Sequence, residues 1–279
     1  MKNFLLLIIV CNVTVFNSIQ SQELNRIWAT EAILEVPESV LYSAIHNCLF
    51  VSNIAGDPSD KDGKGMISVM DITGKVNDLH WVTGLSAPKG MAADSMYLYV
   101  SDINELVVID IELKQIHNRI KREDAQFLND VAVNSHGDVF VSDSNGKRIY
   151  KLKGGVLKVW LEGEMLVGVN GLFCEGDDII VGTSSSILKV SMVDQSYEEL
   201  FSETKDIDGI ESDGEGGYYF SSWKGLLYHA VPGQQPVLLM DTTGESINCA
   251  DIGYEPESKL IFVPTFFDNR VVAYRWGKL

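Results

Sequence analysis

The sequence predicts an all-β fold, a six-bladed β-propeller closed by an N-terminal strand that joins the last blade. Three observations predict it. An apolar strand pattern restarts six times, each time behind a polar or small pair, at Pro37, Pro88, Leu128, Val169, Ile207 and Cys249. A second apolar strand follows every restart, and a third follows that one. The period, about 40 residues of strand-forming sequence, is the signature of propeller blades rather than of helical repeats.

The elements follow in order. Residues 26–36 alternate well enough for one strand ahead of the first repeat. Placing it in the last blade ties the two chain ends together and removes an open sheet edge. The second strands are 49–53, 98–102, 139–143, 179–183, 218–222 and 260–264. The third are 66–71, 105–110, 148–152, 186–190, 225–229 and 270–274. Turn residues separate them, as at 135–138, 175–178 and 214–217. No linker, low-complexity stretch or long helix interrupts the pattern, so 22–279 reads as one closed domain. An insertion at 57–65 lengthens the first blade. Its Asp60, Asp62 and Gly63 match part of a calcium loop, but the closing bidentate glutamate is missing, and a solvated turn is the expectation.

Residues 1–21 read as a secretory signal peptide: Lys2, an apolar run from Phe4 through Val10, and Ser21 ahead of a cut at Gln22. The run is too short for a stable membrane span. Ile8-Ile9-Val10 supplies no small residue ahead of Cys11, against a lipid anchor there. The expected location is therefore secreted or periplasmic. Net charge is −17, and loss of Lys2 with the leader makes the mature chain one unit more negative. Such a surface repels phosphate backbones and anionic lipid, so nucleic acid is excluded as a partner and a small-molecule substrate is expected. Cys48, Cys174 and Cys249 remain after cleavage; an odd number leaves at least one unpaired, and no CxxC spacing occurs.

Hydrolytic motifs of other folds are absent. There is no Gly-x-Ser-x-Gly elbow, and the five histidines form no HExxH or HxH pattern. The blade starts carry the chemistry instead. On a propeller the innermost strand begins near the axis, so the residues opening it converge on the channel mouth. Glu38, Lys89, Asn129, Asn170, Asp208 and Ala250 share the first slot; Ser39, Gly90, Asp130, Gly171, Gly209 and Asp251 share the second. Two carboxylates and two carboxamides on one axis offer the hard oxygen donors that calcium prefers. Any one Asn-Gly or Asp-Gly pair is ordinary turn chemistry; four oxygen-bearing residues in one repeat slot are not. Trp81, Phe127, Trp223 and Phe266 are candidates for an apolar pocket rim.

At these residues the sequence resembles the senescence-marker-protein and gluconolactonase family, the regucalcin-like propellers. Glu38-Ser39-Val40, Leu128-Asn129-Asp130, Asn170-Gly171-Leu172 and Asp208-Gly209-Ile210 resemble the family's blade starts in order and spacing. The resemblance implies one Ca2+ in the channel, held by Glu38, Asn170 and Asp208, with Asn129 beside it. It implies hydrolysis of a lactone or related ester, with Asp208 also taking a proton and Asp130 orienting the set. Lys89, Phe127 and Trp223 would meet substrate. Two departures stand: Val40 replaces a proline of the family start, and Phe127 stands where sugar lactonases carry an arginine. The competing expectation is a non-catalytic propeller whose ion is structural and whose loops bind a partner or small ligand.

Overall fold

A computed structural model describes residues 23–277. Six four-stranded antiparallel sheets surround a central axis. Five follow the chain in simple meanders. The sixth takes its outer strand from the N-terminus: Leu24–Ala29 pairs antiparallel with Val271–Trp276. The expected closure is therefore present, and the proposed signal peptide lies outside the described residues.

The closing strand is shorter than expected, ending at Ala29 instead of reaching residue 36. The chain must there leave the blade's outer edge and travel to the axis, which a paired strand cannot do. Scattered partners rather than a ladder satisfy its amides: Leu34 N donates to Asn269 O (3.3 Å), Glu35 N to Asn53 Oδ1 (3.2 Å) and Val36 N to Asn269 Oδ1 (2.9 Å). Each of the other five blades also has a fourth, outermost strand that the sequence pattern conceals. Gln115–Lys121 and Tyr197–Ser202 are largely exposed and polar, so they carry no apolar alternation.

The core is distributed between blades. Each interface is an apolar cluster of facing sheets, such as Phe50, Trp81, Leu98 and Val107 between the first and second blades. Trp81 belongs to this core, its ring 5.1 Å from that of Phe50, and takes no part in the pocket rim expected of it. The three cysteines are free; Cys249 is buried and the other two are half-buried. Among the described residues no helix is long and apolar enough to cross a membrane.

Candidate active site

In four blades the innermost strand opens with a β-bulge at the slot residues. Register shifts fall between Pro37 and Ser39, Pro88 and Met91, Leu128 and Val131, and Ile207 and Ile210. A bulge re-aims the side chains it carries. Opposite each bulge stands a serine of the second strand: Ser52, Ser101, Ser142 or Ser221. Ser52 Oγ accepts from Ser39 N (3.0 Å), Ser142 Oγ from Asp130 N (2.8 Å) and Ser221 Oγ from Gly209 N (2.9 Å). Ser101 and Ser221 donate in turn to Asn129 O and Ala250 O of the following blades. These serines hold the bulges open and stitch blade to blade. Their repeated Val-Ser-Asx or Phe-Ser-Ser context was a legible signal that slot-by-slot reading of the blade starts does not use.

The bulges separate the two slots. First-slot residues Glu38, Lys89, Asn129, Asn170 and Asp208 line one cavity of about 230 Å³, together with Ile54, Pro58, Phe127, Trp223 and Phe266. Every residue expected at the site except Asp130 and Trp81 is there. Asp130 lines the cavity on the far side of the ring, with Ser39, Glu211 and Asp251. Its carboxylate accepts from Leu172 N of the next blade (2.6 Å) and from its neighbour Val131 N (2.6 Å). Asp130 is thus a strap between blades and lies apart from the set that the resemblance has it orient: adjacent residues in a bulged strand face opposite ways.

Within the first cavity, Asn170 Nδ2 donates to Asp208 Oδ1 at 2.7 Å. Asn129 Nδ2 is turned toward Ser144 Oγ at 3.2 Å. Glu38 is buried, and its Oε2 has no hydrogen-bond partner. Lys89, only 1% exposed, does not stand open at the mouth. Its Nζ donates to Pro58 O (3.0 Å) and Ala87 O (2.9 Å) and sits 4.5 Å from the Phe127 ring centre. Lys89 therefore pins the 57–65 insertion to the cavity wall. The insertion itself is built of turn bonds, such as Ser59 N to Asp57 Oδ1 (2.9 Å), as its composition suggests.

The electrostatics are those of a site short of positive charge. Burial, then the charges of Asp208 and Asp251, holds the Glu38 carboxyl well above the usual carboxylate range; Lys89 opposes this. Burial, then Asp251, pushes Asp208 up to about 8, against the bond from Asn170. Burial lowers Lys89, with Glu38 the largest opposing influence. Two buried carboxylates with one unpartnered oxygen and two carboxamide oxygens nearby fit a hard cation, which removes the cost of burying them. Among the described residues no three His, Cys, Asp or Glu side chains group as a metal cage; this set consists of two carboxylates and two carboxamides.

A pH dependence follows. A carboxyl raised in the folded state contributes stability fully present below its unfolded value, near 4, and lost as pH rises through the folded value. For Asp208 that window runs up to about 8. In chelator, the melting temperature is expected to fall between pH 5 and pH 9. With saturating calcium the fall should shrink, and a calorimetric scan at several pH values checks both.

Comparison with known proteins places the fold. No family model matches the chain, and no curated relative matches it. Among solved structures, a streptogramin B lyase superposes with a TM-score of 0.66 at 10% identity, covering 92% of this chain and 98% of that one. A catalytically inactive virginiamycin B lyase from Staphylococcus aureus, with quinupristin, superposes with a TM-score of 0.63 at 10% identity, covering 91% and 99%. At that identity the likeness concerns the propeller architecture alone.

Proposed function

We propose that this propeller is an exported, divalent-cation-dependent hydrolase of a lactone or related ester, as its resemblance to the gluconolactonase-like propellers implies. The observation that carries the reading is the convergence of Glu38, Asn129, Asn170 and Asp208 on one cavity, with Glu38 Oε2 buried and unpaired. Glu38, Asn170 and Asp208 would hold calcium, with Asn129 beside it. When bound, the cation supplies Lewis-acid polarisation of the ester carbonyl.

The chain's own groups do the rest. Asn170 holds Asp208 Oδ1 and so leaves Oδ2 as the oxygen that accepts a proton from the attacking water. The water oxygen bonds to the acyl carbon, the acyl–oxygen bond breaks, and the proton held on Asp208 passes to the departing alkoxide. The products are an alcohol and a carboxylic acid, joined as one hydroxy acid when the substrate is a lactone. Phe127, Trp223 and Phe266 wall the cavity and limit water around the reacting ester. A non-catalytic propeller whose ion is structural would keep calcium binding without lactone turnover. Lactone hydrolysis followed by proton release tests this: activity should require calcium and vanish in chelator. Activity indifferent to chelator would reject the reading.

A further inference from the structure

We propose that the substrate's non-reacting part is a compact apolar group, of aromatic size, received by Trp223 and Phe266. This deepens the hydrolase reading and rests on it. The cavity's polar side chains are largely committed. Glu38, Asn170 and Asp208 form the oxygen cage with Asn129, and Lys89 spends two donors on Pro58 O and Ala87 O. The side chains of the remaining walls, Ile54, Pro58, Phe127, Trp223 and Phe266, offer a single hydrogen-bonding atom, the Trp223 indole nitrogen. A polyhydroxylated sugar lactone would leave several buried hydroxyls without partners, and a site that cannot pair a hydroxyl discriminates against it.

The rim points the same way. Trp223 is 40% exposed and Phe267 61% exposed, beside a largely buried Phe266. Their rings pack edge to face, Trp223 at 5.4 Å from Phe266 and 6.3 Å from Phe267, and Phe266 at 4.7 Å from Phe267. Phe266 is held at φ 51°, a left-handed conformation costly for an aromatic residue. A rigid aromatic cluster, left partly in water at the mouth of a cavity, suits an apolar ligand at little entropic cost. The volume, about 230 Å³, lies below the range of drug-sized pockets and restricts that ligand to a small one.

The test compares γ-phenyl-γ-butyrolactone, γ-butyrolactone and gluconolactone as substrates in calcium, for the wild type and Trp223→Ala. The phenyl lactone is expected to have the highest kcat/KM. Trp223→Ala should cost it about tenfold more than it costs γ-butyrolactone, mainly through KM. Preferential hydrolysis of gluconolactone would overturn the inference and leave the hydrolase reading standing. If no lactone is hydrolysed, calorimetric binding of the matching γ-phenyl lactam decides. Binding weakened by Trp223→Ala keeps the apolar site and rejects the hydrolase, whereas absence of binding overturns the inference.

Discussion

Asp208→Asn is expected to abolish calcium-dependent stabilisation and to lower kcat/KM by roughly a thousandfold, the several kcal/mol that metal polarisation of a carbonyl contributes. The isosteric amide can still accept from Asn170, whose Nδ2 lies 2.7 Å from Asp208 Oδ1, so the fold should survive. What disappears is a buried negative charge and a proton acceptor. The two states of the protein should therefore respond in opposite directions. In chelator above pH 8 the variant should melt higher than wild type, because Asp208, raised to about 8, is ionised there without a partner cation. At calcium a hundredfold above Kd, the wild type should gain about 2.7 kcal/mol, or roughly 5–10 °C in Tm, and overtake the variant. Scanning calorimetry in both conditions reads the crossover. A variant less stable than wild type in both would make Asp208 a structural residue.

Gly171→Ala is expected to damage the fold and the site together. A methyl at position 171 would meet Asp208 O inside van der Waals contact, with Asp208 C and Ile210 Cγ1 each at 3.2 Å. The first of these is backbone and cannot rotate away. Glycine in the second slot thus lets adjacent blades approach at the axis, and the same crowding confronts a methyl at Gly90 or Gly209. Overpacking of this kind costs about 1–3 kcal/mol. Because the atoms displaced carry Asp208, calcium affinity should fall as well. Gly244→Ala is the matched control: nothing lies within 4 Å of its added carbon, so its effect should stay within about 0.5 kcal/mol. Equal melting temperatures for the two variants would contradict the close-approach argument.

How far the sequence reveals this molecule depends on what repeats. Blade number, closure and the three inner strands of each blade are legible because buried strands must be apolar and the period brings them round six times. First-slot residues are legible for the same reason: phase alone assigns Glu38, Asn129, Asn170 and Asp208 to one cavity. Three features escape. The outermost strands of the first five blades are largely solvent-facing and lack a pattern. Asp130, read as Asn129's partner, faces away because a bulge sends consecutive side chains to opposite ends of the ring. Lys89, read as a residue open to substrate, is drawn under the 57–65 insertion by two carbonyls that only the folded chain supplies. Trp81 shows the converse: an aromatic residue read as pocket rim packs on Phe50 of its own blade and is buried with Leu98 and Val107 of the facing one.

The convergence of four oxygen-bearing side chains on one cation is tested most directly by a crystal grown or soaked in millimolar calcium and examined by anomalous scattering. The account predicts one peak in the cavity beneath Trp223, about 2.3–2.6 Å from carboxylate or carboxamide oxygens of Glu38, Asn170 and Asp208. A cavity that stays without a peak, or calcium bound only among surface carboxylates, would contradict it.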